Sequence, residues 1–306
     1  MNILISGGSG LVGSALTKEL VKDGHRVFIL SRSPENVTDL PENVQVLVWD
    51  GKSAIGWGYL MDGIDAVVNL AGSPLNGNNP LDIRLSKKRK KLLLESRLNA
   101  SHALIECIRK TEKKPKVFIQ ASAVGYYGPL GNEVVDESQP AGDDFLAQVQ
   151  YKSERSTEAL EEIGVRRVLI RTGLVLAKNA DALGYFILQF SLFAGGRMGS
   201  GEQYYSWIHI NDEVAAIKFL IENESAVGPF NLVAPNPVKN KEFAKVLGKV
   251  MKRPASFVIP AFLMRLVLGE VSTVVLDGQR LSSKKLEILG FTFQYPELKE
   301  ALEDVI

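Results

Sequence analysis

Asn2-Ile3-Leu4-Ile5-Ser6-Gly7-Gly8-Ser9-Gly10-Leu11-Val12-Gly13 decides how this chain folds. A short apolar strand runs into Gly-x-x-Gly-x-x-Gly and then directly into a helical pattern. Gly7 permits the tight strand-to-helix turn, Gly10 lets backbone N–H groups approach a pyrophosphate, and Gly13 lets the helix lie close on the strand. The first N–H groups and the dipole of that helix favour an anion, so Ser9, Leu11 and Val12 belong to the same candidate site. A glycine triplet alone also fits an ordinary turn, and its surroundings have to separate the two readings. Leu16, Leu20 and Val21 recur at helical spacing, Gly24 stands where the helix should stop, and Val27-Phe28-Ile29-Leu30 reads as a buried parallel strand. Strand, helix and strand thus fit into the first 32 residues.

At the end of the second strand, where an NAD site would set a carboxylate against the ribose 2′-hydroxyl, the chain has Ser31-Arg32. A guanidinium pairs with a 2′-phosphate that a carboxylate would repel, so the expected cofactor is NADP(H). The alternative for Arg32 is an ordinary exposed loop arginine.

Apolar runs at 44–48, 66–71, 117–121 and 167–170, with helical patterns at 87–111 and 145–163 between the later ones, continue the alternation. The expected fold is α/β, a doubly wound parallel sheet with six strands accounted for. Ligands in such sheets bind beyond the carboxyl ends of the strands, which collects residues 6–13, 31–32, 70–73, 121–127 and 171–174 into one cleft. Gly72 and Ala121 count among the candidate cofactor residues on that ground. Past residue 174 the alternation breaks down, giving an expected dinucleotide-binding domain over 1–174 and a smaller substrate lobe over 175–306. A helix near 211–222, capped by Asn211-Asp212, is expected to pack back on the first domain.

With 36 basic against 35 acidic side chains the net charge is +1, so no global field gathers nucleic acid or an anionic membrane. Lys87-Lys88-Arg89-Lys90-Lys91 reads as a solvated helix face. Cys107 is the single cysteine and falls in an apolar helical pattern; it excludes an intramolecular disulfide and suits a reducing cytoplasm. His25, His102 and His209 lack metal-ligand spacing, so no metal is expected. The first strand begins at residue 2, and no signal peptide is expected before it. The most lipid-like stretch, 257–268, contains Pro260 and Arg265 and reads as a buried helix of the second lobe, with an interfacial membrane helix as the alternative. The expected partner is a small-molecule substrate, without nucleic acid or membrane, and a homodimer is the open alternative to a single chain.

The glycine motif, Asn69-Leu70-Ala71-Gly72, Ser122-Ala123-Val124-Gly125-Tyr126-Tyr127-Gly128 and Arg171-Thr172-Gly173 together resemble the extended short-chain dehydrogenase/reductases, also called NAD-dependent epimerase/dehydratases. Asp144-Phe145-Leu146-Ala147, Gly199-Ser200-Gly201 before Trp207-Ile208-His209-Ile210, Ala234-Pro235-Asn236-Pro237-Val238 and Gly278-Gln279-Arg280 resemble, more narrowly, the atypical branch labelled epimerase family protein. The resemblance implies that Ser31 and Arg32 hold the 2′-phosphate and that Leu70 and Ala71 line the adenosine side. It further implies that Arg97 reaches the cofactor and that Leu174 lies near the nicotinamide. Members often carry an acid five positions before that arginine, where this chain has Leu92.

The family's Tyr-x-x-x-Lys pair, in which lysine lowers the tyrosine pKa for proton exchange, is missing here: Tyr151 is followed four residues later by Arg155. Candidates for the proton transfer are therefore Ser122, Tyr126 and Tyr127 at the carboxyl edge of the sheet. Their alternative role is packing and loop hydrogen bonding. His209 and Asp212 invite a dyad reading, against which stands a structural one with Asp212 as a helix cap. The function these residues imply is an NADP(H)-binding oxidoreductase acting on a small carbonyl or alcohol. The missing pair motivates a regulatory NADP(H) sensor as the alternative, and the family label a nucleotide-sugar epimerase or dehydratase.

Overall fold

The computed structural model describes residues 1–37, 40–41, 43–75 and 84–306. The first half of the chain runs β1 (Asn2–Ser6), α1 (Leu11–Lys22), β2 (Arg26–Ser31), β3 (Val44–Val48), β4 (Ala66–Asn69), α2 (Lys87–Lys110), β5 (Val117–Ala123), β6 (Val134–Val135), α3 (Phe145–Arg155) and β7 (Arg166–Thr172). It continues through β8 (Leu174–Leu176), α4 (Asp181–Ser191), β9 (Gly196–Met198), β10 (Tyr204–Tyr205), β11 (Trp207–His209), α5 (Ile210–Glu222), β12 (Gly228–Leu232), β13 (Val238–Lys239) and α6 (Asn240–Met251). The last elements are β14 (Phe257–Ile259), α7 (Ala261–Leu268), α8 (Ser272–Leu276), β15 (Arg280–Leu281), α9 (Lys284–Ile288) and α10 (Leu298–Val305).

Seven strands form one sheet in the order β12-β7-β5-β4-β1-β2-β3, every neighbouring pair parallel. Strand alternation divides the core between its two faces. Ile3, Ile5, Ile29, Val68, Ile119 and Ile170 pack under α1 and α5, while Leu4, Phe28, Leu30, Val67 and Phe118 pack under α2. On α1 the buried residues Gly13, Leu16, Thr17 and Leu20 make one stripe, the spacing that lets a helix lie on a sheet. Cys107 is buried in the core under α2, and burial pushes its thiol pKa up. The strand order reverses between β1 and β4, so the chain leaves in opposite directions there and opens a crevice at the carboxyl edge.

Three features differ from the sequence reading. The sheet has a seventh strand, β12, drawn from the stretch beyond residue 174 and paired with β7 from Gly228↔Val168 to Leu232↔Thr172. Its Gly-Pro-Phe-Asn-Leu sequence lacks the β-branched residues found in the other strands of the sheet. The cap of α5 is His209, whose Nδ1 accepts from the Asn211 N–H at 3.2 Å, whereas Asp212 lies inside the helix and receives the N–H groups of Gln294 and Tyr295 at 2.7 and 2.9 Å. Finally, α7 buries none of its residues, although its composition reads as core. The second lobe closes instead around Phe186, Phe190, Trp207, Phe243, Leu298 and Leu302.

Candidate functional site

The turn after β1 is built so that backbone, not side chains, faces the crevice. Gly7 sits at φ +75°, and a Cβ on it would lie 2.8 Å from the Leu70 carbonyl; one on Gly13 would lie 2.4 Å from the Gly7 carbonyl oxygen. Gly10 closes the turn by donating its N–H to that same oxygen at 3.0 Å. It is also the N-cap of α1, which has no side-chain cap and no acid in its first turn. Ser86, Asp144 and His209 cap α2, α3 and α5 with their own side chains, while α4, α6 and α10 also lack a side-chain cap. The first N–H groups of α1 therefore remain free for an outside anion.

From this turn a cleft of about 530 Å³ runs across the carboxyl ends of β1, β2 and β4. Gly7, Ser9 and Gly10 form its floor, Ser31 and Arg32 one end, and Leu70, Ala71 and Gly72 a wall. Leu11, Val12, Gly13, Ala121 and Leu174 do not line it. Nor does Arg97, which stands behind the wall: its guanidinium packs on Gly72 and donates to the carbonyls of Leu93 at 2.9 Å and Ser73 at 3.4 Å. Burial, and secondly the charge of Arg89, push its pKa down to about 10.

Sequence reasoning missed the loop after β3 and one face of α2. Asp50, Gly51 and Lys52 close the cleft opposite Arg32, and Glu95, Ser96 and Asn99 line its α2 side. The Asp50-Gly51 turn signal directly after a strand was the available clue. Asp50 is committed to its own loop, accepting the N–H groups of Lys52 and Ser53 at 2.7 and 2.8 Å and the Ser53 hydroxyl at 2.9 Å, bonds that hold its carboxyl below the usual range. Arg32 and Lys52 have no carboxylate partner among the described residues. That end of the cleft is consequently a place where a phosphate gains two cations and displaces no ion pair.

Beneath the cleft a buried polar chain fixes the strand ends. Ser6 donates to Asn69 at 2.5 Å, Asn69 donates to Gln120 at 2.8 Å, and Gln120 donates to Ser153 at 3.2 Å, tying β1, β4, β5 and α3 together.

Across the sheet, beyond β5 and β7, the same edge is closed. The Ser122 hydroxyl donates to Glu154 at 2.6 Å, and Arg171 grips both oxygens of Glu154 at 2.9 Å each. Arg171 also donates to the Tyr127 hydroxyl at 3.0 Å, which in turn donates to Asn231 at 2.6 Å. Tyr127 is 2% exposed, and burial pushes its phenol up to about 12 despite the neighbouring guanidinium. Tyr126 lies with its ring 3.6 Å from the Arg171 guanidinium carbon, and burial raises its phenol as well. Thus Ser122 and Tyr127, read from sequence as proton donors to a substrate, have their hydroxyl protons turned inward. The physical reason is the buried Glu154–Arg171 pair, which needs its remaining lone pairs and protons satisfied.

His209 and Asp212 form no dyad facing the crevice: the imidazole caps α5 and stacks on Tyr295 with ring centroids 3.8 Å apart, while Asp212 holds backbone. A second hollow of about 90 Å³ separates the β5 edge from the C-terminal lobe, lined by Val124, Gly125, Asp144, Leu146, Thr273 and Asp277. Among the described residues no group of histidine, cysteine or carboxylates could hold a metal ion.

The sequence model of the NAD dependent epimerase/dehydratase family matches residues 3–233. The chain belongs to that family. Residues 259–305 match a domain of unknown function. Within the family, an epimerase family protein of Staphylococcus haemolyticus is 42% identical over 304 residues, 99% of this chain and 98% of its own. The crystal structure of human epimerase family protein SDR39U1 (isoform 2) with NADPH has a TM-score of 0.85 at 31% identity, covering 100% of this chain and 99% of the human one. Thermus thermophilus UDP-glucose 4-epimerase in complex with NAD, at 18% identity over 99% of this chain and 97% of its own with a TM-score of 0.77, shares the fold. Membership makes the functional class NAD(P)-dependent, and the glycine cradle and uncapped α1 fit a dinucleotide's pyrophosphate.

Proposed function

We propose that the protein binds NADP(H) in the large cleft and acts as a weak oxidoreductase on a small carbonyl or alcohol. One observation carries the cofactor choice: Arg32 and Lys52 flank the ribose end of the cleft, Ser31 stands where a carboxylate would select NAD, and Asp50 is tied into its own loop. Bound there, the nicotinamide supplies reversible two-electron chemistry. The chain's part is to hold the pyrophosphate on the α1 N–H groups, to pair Arg32 and Lys52 with the 2′-phosphate, and to keep the Gly72–Ser73 wall in place through Arg97.

The 90 Å³ hollow next to Val124 and Gly125 is the place for the substrate. Of the three hydroxyls read from sequence, Tyr126 is the one not seen to donate its proton to another side chain among the described residues; it is buried and lines neither hollow, and its raised pKa makes it a sluggish acid at neutral pH. A regulatory reading, in which NADP(H) binding itself is the output, is favoured by the inward commitment of Ser122 and Tyr127. Nucleotide-sugar epimerisation has the family behind it, but needs an acid–base pair that no described side chains form at the cleft.

Arg32→Ala tests the cofactor assignment. Because Arg32 is exposed and screened, the loss should sit near the low end for a charge-assisted pair, about 1.5 kcal/mol or roughly tenfold weaker NADPH binding, with NADH little changed. An equal loss for both cofactors would remove Arg32 from the 2′-phosphate. Turnover over a panel of small carbonyls separates enzyme from sensor: activity lost in Tyr126→Phe with NADPH binding intact supports the enzyme. NADPH binding with no turnover in the unmodified protein supports the sensor.

A further inference from the structure

The helix α7 shows its apolar side to water. Phe262, Leu263, Leu266 and Val267 fall within one stripe of the helix, and all four are exposed, Phe262 by 71% and Leu266 by 63%. The half-buried Ala261, Met264 and Leu268 take the side toward the protein. Just upstream, β14 adds the exposed Phe257 and Val258. Aromatic side chains of about 150–250 Å² each, joined by four aliphatic ones, hold more apolar surface in water than an isolated surface residue accounts for.

Charge identifies the occupant. Arg265 lies on α7, and Arg84 reaches its carboxyl end, donating to the carbonyls of Leu266 and Val267. Arg197, exposed, is the register partner of Val258, and the exposed Lys252 and Arg253 precede β14. The acid at this end of the helix, Glu270, is neutralised by Lys90 at 2.6 Å. A second copy of the chain would bring this basic rim against itself. An anionic bilayer surface satisfies both features, taking the apolar stripe at the boundary of headgroups and acyl chains and the arginines on its phosphates.

We propose that α7 docks the protein on an anionic phospholipid surface. The helix lies in the interface without crossing it, since no helix among the described residues is long and apolar enough to span a membrane. This departs from the sequence reading that buries 257–268 and expects no membrane partner, and takes up its alternative of an interfacial helix.

Co-sedimentation of the full chain with phosphatidylcholine vesicles, with and without phosphatidylglycerol, tests the proposal. The expected result is binding to the phosphatidylglycerol vesicles, at least about tenfold weaker on phosphatidylcholine alone and reduced by salt. The double substitution Phe262→Ser/Leu266→Ser should weaken it at least about tenfold with the unfolding midpoint unchanged, because both side chains already face water. Arg265→Glu should weaken it on the anionic vesicles alone. No binding to anionic vesicles, or equal binding by the double variant, would overturn the proposal. So would a dimer in sedimentation equilibrium that the double variant dissociates, since the stripe would then belong to a second copy.

Discussion

The two halves of the sheet's carboxyl edge use similar residues in opposite ways. Over β1, β2 and β4 the backbone is bare, α1 has no side-chain cap, and Arg32 and Lys52 stand without a carboxylate partner among the described residues in a cleft of about 530 Å³. Over β5, β7 and β12 the side chains of Ser122, Glu154, Arg171, Tyr127 and Asn231 are joined by hydrogen bonds into one buried cluster that Glu137 and the Ser282 carbonyl complete. A site that must receive a charged ligand leaves donors unspent, whereas a buried ionic cluster survives only if its donors are spent on one another. Position at the strand ends therefore does not by itself make a hydroxyl catalytic; the state of its hydrogen bonds does.

The largest effect that would break this contrast is expected at Arg171. Arg171→Ala leaves the Glu154 carboxylate buried without its cation and should cost about 3–5 kcal/mol in urea unfolding. Adding Glu154→Gln should return part of the loss, because the uncompensated charge is gone. A loss near zero in Arg171→Ala would mean that the cluster is wet and open like the cofactor side.

Next in size is Tyr127→Phe. It deprives Asn231 of a donor and Arg171 of an acceptor and should destabilise by about 1–3 kcal/mol, with NADPH affinity unchanged. Should the variant keep full stability and lose turnover, Tyr127 is the acid and the closed half is the active site.

Glu213 sharpens the boundary between the two halves. It lies in the first turn of α5 and accepts the Thr172 hydroxyl at 2.7 Å, while its other oxygen is buried with no partner among the described residues. Burial pushes its carboxyl from the ordinary 4.5 up to about 8. The folded protein thus holds a proton that the unfolded chain releases, so this residue's contribution is intact below pH 4.5 and is lost as pH rises toward about 8. Glu213→Gln, which cannot ionise, should flatten that decline between pH 5 and pH 8. An unchanged pH profile of the unfolding midpoint would mean that Glu213 stays ionised.

The open half was legible because its signals are local. Gly7, Gly10 and Gly13 lie within seven residues, and the Val- and Ile-rich runs announce strands that a parallel sheet buries on both faces. The closed half was not, because its pairings are long-range: Glu154 meets Arg171 from 17 residues away, and Tyr127 meets Asn231 from 104. Nothing local marks Glu154 or Arg171 as buried, since charged residues on a helix and a strand end are ordinarily solvated. Composition misled at α7 for the converse reason: a helix with seven apolar residues of eight reads as core, and which side of it meets the protein is set by the tertiary fold, not by the local sequence.

Titration calorimetry of the unmodified protein with NADPH and NADH bears most directly on the central claim, that the open half is built for a 2′-phosphorylated dinucleotide. The account predicts binding of both, with NADPH tighter by about tenfold or more and the preference shrinking as salt rises. Equal affinity for the two cofactors, or a preference for NADH, would contradict it.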